Sequence, residues 1–292
     1  MTARAGGSPA NVAVGLARLG VETRLAARIS RDEFGSFLRA HLEASGVDIE
    51  LCANALELTT VAIVGVDESG AATYSFYGQG TADWQWQRAE LPANDPPAVI
   101  HTGSLVLALE PGARVVADWV GAQRLRGDVF ISLDPNVRPT QLVDLATYRE
   151  RLYSLIAQAH LVKVSDEDLL VLEPSLDPVK TAIGWAEWGP ELVVVTQGAR
   201  GATAIRAGAE PVQSAAIPVT VVDTVGAGDA FTAGLIAFLA DHDALRPGSV
   251  RPLDPAVLSE ALGFAGRVAA LACTRAGADP PWRAELDRTA TP

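Results

Sequence analysis

The order of apolar segments along this chain predicts an α/β fold with a mainly parallel central sheet. Short apolar runs alternate with longer Ala- and Leu-rich stretches that have helical spacing. This alternation is typical of βαβ units, in which helices cover both faces of a parallel sheet. With 49% hydrophobic and 20% charged residues, the 292-residue chain can bury a substantial core, and its composition is not that of a disordered protein.

The individual elements follow from the same periodicity. We expect strands at residues 23–29, 61–66, 98–101, 129–133, 161–164, 192–196 and 217–222. We expect helices at residues 10–19, 33–44, 114–125, 148–158, 179–188, 229–240 and 255–273. One stretch departs from the alternation, because residues 61–77 predict two strands around a turn at 67–70 with no helix between them. An ordinary edge hairpin is sufficient to explain that stretch.

The most informative segment is residues 223–231 (DTVGAGDAF), which predicts a glycine turn followed by the first turn of a helix. Gly226 and Gly228 lack side chains that would block a ligand, so the backbone amides around Gly226, Ala227 and Gly228 can face an anion. Asp229 then lies in the positive field of the helix N-terminus. A carboxylate beside such a cradle suits phosphoryl transfer to a hydroxyl group, although Asp at a helix start is commonly only a favourable first-turn charge.

Two segments together resemble a known family. Residues 223–231 resemble the C-terminal signature of the PfkB (ribokinase-like) sugar kinases, and residues 6–20 (GGSPANVAVGLARLG) resemble the N-terminal signature of the same family. The resemblance covers nearly the whole chain. It implies a ribokinase-like three-layer α/β sandwich in which residues 59–82 form a small β lid and residues 1–58 and 83–292 form the kinase core.

The resemblance also implies the activity. We expect ATP-dependent phosphorylation of a primary hydroxyl of a small sugar, with fructose as the first choice. Asp229 would be the base, and the amides around Gly226, Ala227 and Gly228 would form the anion hole. The sugar would be bound by a set of four residues: Gly6, Gly7, Asn11 and Arg138.

Residues 163–169 (KVSDEDL) predict a helix start, with Ser165 as N-cap and Asp168 three residues later. In the family this position carries an Asn-x-x-Glu element near the nucleotide phosphates and magnesium. The present residues depart from that pattern but are similar to those of the fructokinase-like branch. By resemblance, Lys163 and Ser165 lie near the nucleotide, and Asp168 orders Mg²⁺ through water.

Two further loops resemble nucleotide-binding positions of the family. The turn at residues 196–201 (TQGARG) would bring Thr196, Gly198 and Gly201 to the nucleotide, although a simple turn also explains both glycines. Gly277, a candidate C-cap of the helix 255–273, would lie near the adenine. A K⁺ site would be formed there by Asp223 and the backbone of Val225.

Residues 134–138 (DPNVR) follow an expected strand at its carboxyl end, where open α/β sheets bind their ligands. Arg138 could hold a phosphate or a substrate carboxylate, or it could form a surface salt bridge. With residues 101–104 (HTGS), this run resembles the branch that contains bacterial fructokinases and 2-keto-3-deoxygluconate kinases. The second activity therefore stays open as an alternative.

Several classes of protein are disfavoured. The net charge of −12 and the lack of a basic cluster argue against nucleic-acid binding, and the two cysteines and four scattered histidines have no metal-ligand spacing. The P-loop and dinucleotide-binding motifs are absent from the sequence. Because no apolar run reaches membrane-spanning length and the first residues do not resemble a signal peptide, we expect a cytoplasmic protein that does not bind membranes. The resemblance also allows a homodimer.

One element of the family is missing from the expected order. PfkB kinases place an apolar strand with a sugar-binding aspartate before their first glycine pair, whereas here five residues precede Gly6. Five residues span at most ~18 Å, so we expect neighbouring strands to keep unpaired backbone groups and this form to be poorly stable or weakly active. A catalytically weak sugar-binding homologue is therefore the alternative from another functional class.

Overall fold

The structure is a computed structural model that describes residues 2–66, 72–92 and 98–289. Its strands are β1 (Arg28–Ser30), β2 (Ala53–Ala55), β3 (Val61–Val66), β4 (Ala72–Tyr77), β5 (Val99–Gly103), β6 (Phe130–Asp134), β7 (Leu161–Ser165), β8 (Leu192–Thr196), β9 (Ala202–Ile205) and β10 (Val212–Ser214). Its helices are α1 (Ser8–Arg18), α2 (Glu33–Ala44), α3 (Gly112–Arg124), α4 (Leu145–Gln158), α5 (Asp166–Leu172), α6 (Pro178–Ala186), α7 (Ala227–Asp241), α8 (Pro255–Cys273) and α9 (Arg283–Thr289).

The central sheet has six strands in the order β10-β9-β8-β7-β6-β5. Strands β5 to β8 are parallel, whereas β9 and β10 are antiparallel and lie at one edge. The parallel strands end at the same edge, so residues that follow β5, β6, β7 and β8 come close together. The predicted mainly parallel sheet is confirmed.

Helices cover both faces of this sheet. Because side chains alternate along a strand, Leu161 packs with α1, α7 and α8, while the next residue, Val162, packs with α3, α4, α5 and α6. Both residues are fully buried. The result is three layers, helix on sheet on helix, and the predicted three-layer sandwich is confirmed.

The N-terminal third contains two smaller sheets. Strands β1 and β2 pair in parallel and pack against α1 and α2 around Leu25, Ile29 and Leu42. Strands β3 and β4 pair antiparallel from Val61 opposite Tyr77 to Val66 opposite Ala72, as predicted. The predicted turn at 67–70 lies outside the described residues, and the division of the chain into a core and a lid stays a prediction.

Helix α1 crosses α7 at unusually short range. A side chain at Gly15 would place its Cβ only 2.6 Å from the Cβ of Ala233, so the crossing depends on the missing side chain. Helix α7 lies equally close to α8, since a Cβ at Gly234 would lie 2.9 Å from the Cα of Ala265. Small residues therefore allow three helices to pack tightly, and they bring the two sequence motifs together.

The strand expected at residues 217–222 is absent, and that prediction was wrong. The end of this segment lies against the end of α8, where the amides of Val222 and Asp223 donate to the carbonyl oxygen of Cys273 (2.8 and 3.2 Å), and Pro218 lacks an N–H group. Val221 and Val222 are 57% and 61% exposed. The short strands β2 and β10 and the helix α9 were not predicted, whereas a strand after the turn at 196–201 was expected and is β9.

The predicted end of the long helix at residue 273 is confirmed, but the predicted C-cap at Gly277 was wrong. Helix α8 ends at Cys273, with Thr274 as its C-cap, and Gly277 lies three residues farther along at φ +80°. Within the described residues, α8 is long and apolar enough by length and composition to cross a membrane. However, it packs in the core against α7, with Leu258, Leu262 and Val268 buried.

A buried arginine connects the two ends of the β3–β4 hairpin. The side chain of Arg28 is 5% exposed and donates to Glu57 (2.8 and 2.9 Å), just before β3. It also donates to Glu90 and to the carbonyl oxygen of Ala82 (3.1 Å), both after β4. Burial opposes the charge, but the two carboxylates outweigh it and raise the pKa of Arg28 above its ordinary value. Arg28 therefore fixes the base of the hairpin to β1.

We expect R28M to lower the free energy of unfolding by about 3 kcal/mol, because it leaves the two carboxylates without their shared partner. Urea denaturation measures the loss. The control is R126M, which removes an exposed arginine 3.5 Å from Asp128 and should cost less than about 1 kcal/mol. Equal effects of the two substitutions would show that Arg28 does not fix the hairpin.

Candidate active site

Asp229 lies at the start of α7, at the carboxyl edge of the sheet. The helix begins at Ala227 after Gly226, whose φ of +77° favours glycine. A Cβ at Gly226 would lie 2.6 Å from that of Ala278, so this turn packs directly on the loop after α8. The amides of Gly228 and Asp229 lie in the first turn of α7, so no carbonyl group of the helix accepts their hydrogen bonds. They can therefore bind an anion.

Both oxygens of the Asp229 carboxylate accept hydrogen bonds from the first turn of α1. The hydroxyl of Ser8 donates to Oδ1 (2.7 Å), and the amide of Asn11 donates to Oδ2 (2.7 Å). The amide of Asn136 donates to Ser8 (2.9 Å) and lies 3.4 Å from Oδ1. Three segments distant in sequence therefore fix the orientation of one carboxylate.

The environment of Asp229 changes its acidity. The residue is 6% exposed, and burial raises the pKa of its carboxyl above the ordinary value. The hydrogen bonds from Ser8 and Asn11 oppose this shift, and so does the positive charge of Lys163. A carboxylate whose pKa is raised towards the working pH is a better proton acceptor than an ordinary one.

Lys163 and Asp134 form a buried ion pair behind the α7 N-terminus. Lys163 lies in the middle of β7 and Asp134 ends β6. Their side chains are 5% and 1% exposed, with Nζ 3.0 Å from Oδ2. Thr232 on α7 donates to the carbonyl oxygen of Gly228 (3.0 Å) and lies 3.4 Å from the same Asp134 oxygen. Burial opposes the ammonium charge, but Asp134 outweighs it and raises the pKa of Lys163.

Asp168 is the third buried carboxylate of this region. Its amide donates to the Ser165 hydroxyl (3.0 Å), which confirms Ser165 as the N-cap of α5, and its Oδ1 accepts from the amide of Val137 (2.9 Å). Burial, followed by the neighbouring Asp134, raises the pKa of Asp168. Three carboxylates thus surround one ammonium group, and this excess of negative charge fits a divalent cation bound with a nucleotide.

Direct metal coordination by the protein alone is not seen. Among the described residues, no three His, Cys, Asp or Glu side chains lie close enough together to hold a metal ion. A hydrated divalent cation that is held mainly by substrate phosphates needs only one or two protein carboxylates, and Asp168 could be one of them. Oδ1 of Asp168 already accepts the Val137 amide, which leaves Oδ2 for such a contact.

Asp223 links the glycine turn to the loop after α8. Its oxygens accept the amides of Val225 (3.0 Å) and Gly277 (2.8 Å), and these bonds lower its pKa. Burial opposes them only weakly, so the carboxylate is ionised. Gly277 is also covered by Arg4, because a Cβ at residue 277 would lie 2.6 Å from the Arg4 Cδ.

The remaining predicted residues divide into two groups. Thr196 is paired with Ser165 across β8 and β7, and Gly198 and Gly201 form the turn that follows, so these residues lie at the same sheet edge. Gly6 and Gly7 are exposed at the start of α1. In contrast, Arg138 is exposed, and its Nη1 donates to the carbonyl oxygen of Val137 (3.0 Å) rather than to a carboxylate.

Sequence reasoning did not identify Ser8, Asn136 and Asp134. Ser8 and Asn11 are three residues apart, so they share one helical face, and this spacing could have suggested a common partner. Asn136 follows Pro135 and adopts φ +40°, a conformation that Asn tolerates better than most residues. The partner of Lys163 could not be read from sequence, because nothing in the sequence gives the alignment of β6 and β7.

Comparison with known proteins agrees with this geometry. Residues 1–285 match the family model described as pfkB family carbohydrate kinase. The fructokinase of Klebsiella pneumoniae is 35% identical over 288 residues, which cover 97% of this chain and 91% of that protein.

Solved structures are similar over the same extent. Fructokinase from Xylella fastidiosa with bound ATP has a TM-score of 0.88 and 26% identity, covering 98% of this chain and 91% of that one. Fructokinase from Vibrio cholerae O395 with fructose, ADP and calcium has a TM-score of 0.83 and 28% identity, covering 97% and 90%. Aminoimidazole riboside kinase from Salmonella enterica, with its riboside and an ATP analog, has a TM-score of 0.83 and 27% identity, covering 97% and 91%.

We expect S8A to raise the pKa of Asp229, because the Ser8 hydroxyl stabilises the ionised carboxylate by a 2.7 Å hydrogen bond. Carbon-13 NMR of Asp-labelled protein across a pH series measures this shift, with D229N identifying the resonance. The control is S154A, whose exposed hydroxyl lies on α4. A pKa that is the same in S8A and the parent would show that the bond does not stabilise the charge.

Proposed function

The chain belongs to the pfkB family of carbohydrate kinases, and we propose that it transfers the γ-phosphoryl group of ATP to a primary hydroxyl of fructose. The observation that supports this best is the Asp229 carboxylate, buried and hydrogen-bonded beside the first-turn amides of α7. The fructokinases among the relatives and solved structures support fructose as the acceptor.

In the proposed reaction, Asp229 accepts the proton of the sugar hydroxyl as its oxygen attacks the γ-phosphorus. The bond from phosphorus to the bridging oxygen breaks, and ADP leaves with that electron pair. The amides around Gly226, Ala227 and Gly228 face the transferring group and stabilise the charge that it carries. Ala227 donates to the carbonyl oxygen of Thr224 (3.1 Å), so its amide contributes mainly by shaping the turn.

The sugar and the nucleotide would occupy opposite sides of this helix start. We propose that Gly6, Gly7 and Asn11 contact the sugar, and that Arg138 reaches it after turning away from Val137. On the nucleotide side we propose a set of residues at the sheet edge and the loop after α8: Ser165, Thr196, Gly198, Gly201 and Gly277. Lys163 lies beside this set but would act through its charge and not by a contact with the nucleotide, since its ammonium is buried and paired with Asp134.

The ions are part of the proposal. Mg²⁺ bound with ATP would neutralise phosphate charge and polarise the γ-phosphoryl group, and Asp168 would hold it through water. A K⁺ site would use the ionised Asp223 and the carbonyl oxygen of Val225, next to the glycine turn. The protein would act in the cytoplasm, where ATP is available, and a homodimer stays a prediction.

Two other acceptors deserve a direct comparison. The similarity to aminoimidazole riboside kinase makes a riboside the first competitor. The second is 2-keto-3-deoxygluconate, which the residues around Arg138 suggested. A third possibility, sugar binding without turnover, predicts heat on titration with a sugar but no formation of ADP.

The sugar preference is tested by steady-state kinetics with ATP and a panel of fructose, ribose, 2-keto-3-deoxygluconate and aminoimidazole riboside. We expect the highest kcat/KM for fructose. A higher kcat/KM for one of the others would replace fructose as the substrate but keep the kinase assignment. Calorimetric binding of fructose with no release of ADP would contradict the kinase activity itself.

The base is tested by D229N, which keeps the shape of the side chain but removes its ability to accept a proton. We expect kcat to fall by ~10²–10⁴-fold while the affinity for ATP stays close to the parental value. The matched control is D241N in the exposed last turn of the same helix, where Asp241 pairs with Arg283 (2.8 Å). A D229N variant with parental kcat would remove Asp229 from the mechanism.

A further inference from the structure

The Lys163–Asp134 ion pair is almost fully buried, but its polar atoms are incompletely hydrogen-bonded. Oδ1 of Asp134 has no hydrogen-bond partner in the described part of the chain, although the residue is 1% exposed. The described residues give the Lys163 ammonium one acceptor, whereas it carries three hydrogens. A buried pair that is incompletely hydrogen-bonded is costly, and an apolar pair of similar shape is often as stable or more stable.

The position of the ammonium suggests what offsets this cost. A Cβ at Gly228 would lie 2.9 Å from Lys163 Nζ, so the ammonium sits directly against the first turn of α7. The absence of a side chain at Gly228 makes room for that charge. Thr232, one helical turn later, lies 3.4 Å from the Asp134 oxygen that holds the ammonium.

Lys163 is also the source of positive charge for this region. Its charge favours the ionised forms of Asp229 and Asp168, whereas the charge of Asp134 opposes them. The other titratable groups that face the pair are His101 on β5, whose pKa burial lowers to about 4, and Tyr148 on α4, whose pKa burial raises. Neither carries a charge at neutral pH, so Lys163 is the group that balances these carboxylates.

We propose that Lys163 is a positioning residue for the phosphoryl transfer: its buried charge, held by Asp134 against the first turn of α7, adds to the field of the α7 N-terminus and favours negative charge on Asp229. Asp134 in turn positions Lys163. This inference rests on the proposed function, because it assigns the pair a role in the same reaction. It differs from a contact of Lys163 with the nucleotide, since the ammonium lies behind the helix start and is buried.

The first test is K163M, which replaces the ammonium by an uncharged side chain of similar length. We expect kcat to fall about 10- to 100-fold while KM for fructose and for ATP stays nearly unchanged, because a field that acts on developing charge affects the transition state selectively. The control is K180M, which removes an exposed lysine from α6 and should leave kcat unchanged. A K163M variant with parental kcat overturns the proposal.

The second test separates the charge from the packing. The double variant D134L/K163M replaces the pair by two apolar side chains of similar shape, so its melting temperature should equal or exceed that of the parent. We expect its kcat to stay at least about 10-fold below the parental value. Recovery of parental kcat in the double variant would show that the pair only holds β6, β7 and α7 together, and would overturn the proposal.

The third measurement does not depend on the substrate. Carbon-13 NMR of Asp229 in the unliganded K163M variant should give a higher pKa than in the parent, because the charge that favours the ionised form is gone while the opposing charge of Asp134 remains. An unchanged pKa of Asp229 overturns the inference even if fructose is phosphorylated. If fructose is not phosphorylated but the pKa rises, the proposed substrate fails and the role of Lys163 stands for the sugar that is turned over.

Discussion

The close crossing of α1 and α7 is the constraint on which the candidate site depends. With Gly15 facing Ala233, the two helix axes approach far enough for the first turn of α1 to reach the first turn of α7. Ser8 and Asn11 then lie at hydrogen-bonding distance from Asp229, which is more than 200 residues away in sequence. A larger residue at position 15 would separate the helices and remove both bonds together, because packed interiors do not absorb an extra methyl group at that distance.

The charges of the site show a second constraint, in which stability and activity oppose each other. Buried carboxylates with raised pKa values lower the stability of the folded state at neutral pH, since burial disfavours their ionised form. The rest of the fold offsets this cost through a large apolar core on both faces of the sheet. Functional sites commonly retain such locally unfavourable arrangements when the surrounding structure is stable enough to hold them.

Much of the fold could be predicted because its elements are long and periodic. The bounds of α2, α8, β3 and β8 were predicted to the residue, since apolar spacing and turn residues agree there. Residues 217–222 have the same β-branched composition as a strand, but whether such a run pairs with the sheet or with another segment, here the end of α8, depends on tertiary contacts that a single sequence does not contain. Three-residue strands such as β2 and β10 carry too few residues to show alternation at all.

The sequence also predicted some residues of the candidate site and not others. Asp229 and the glycines of its turn lie within one continuous motif, so their neighbourhood could be inferred from local chemistry. Asp134, Ser8 and Asn136 acquire their importance only from contacts between distant segments, and a single sequence does not contain those contacts. Lys163 shows the difference. Its position near the site was predicted from the sequence, whereas its ion pair with Asp134 depends on how β6 and β7 are aligned in the sheet.

The two motifs lie far apart along the chain, and this separation determines when the site forms during synthesis and folding. During synthesis from the N-terminus, Ser8 and Asn11 emerge long before α7, so a growing chain lacks the carboxylate that they hold in the folded protein. The Asp229 side chain acquires both hydrogen bonds only after α7 has docked against α1. Native contacts of such high sequence separation are typical of slowly folding chains, so the candidate site forms with the tertiary structure and not before it.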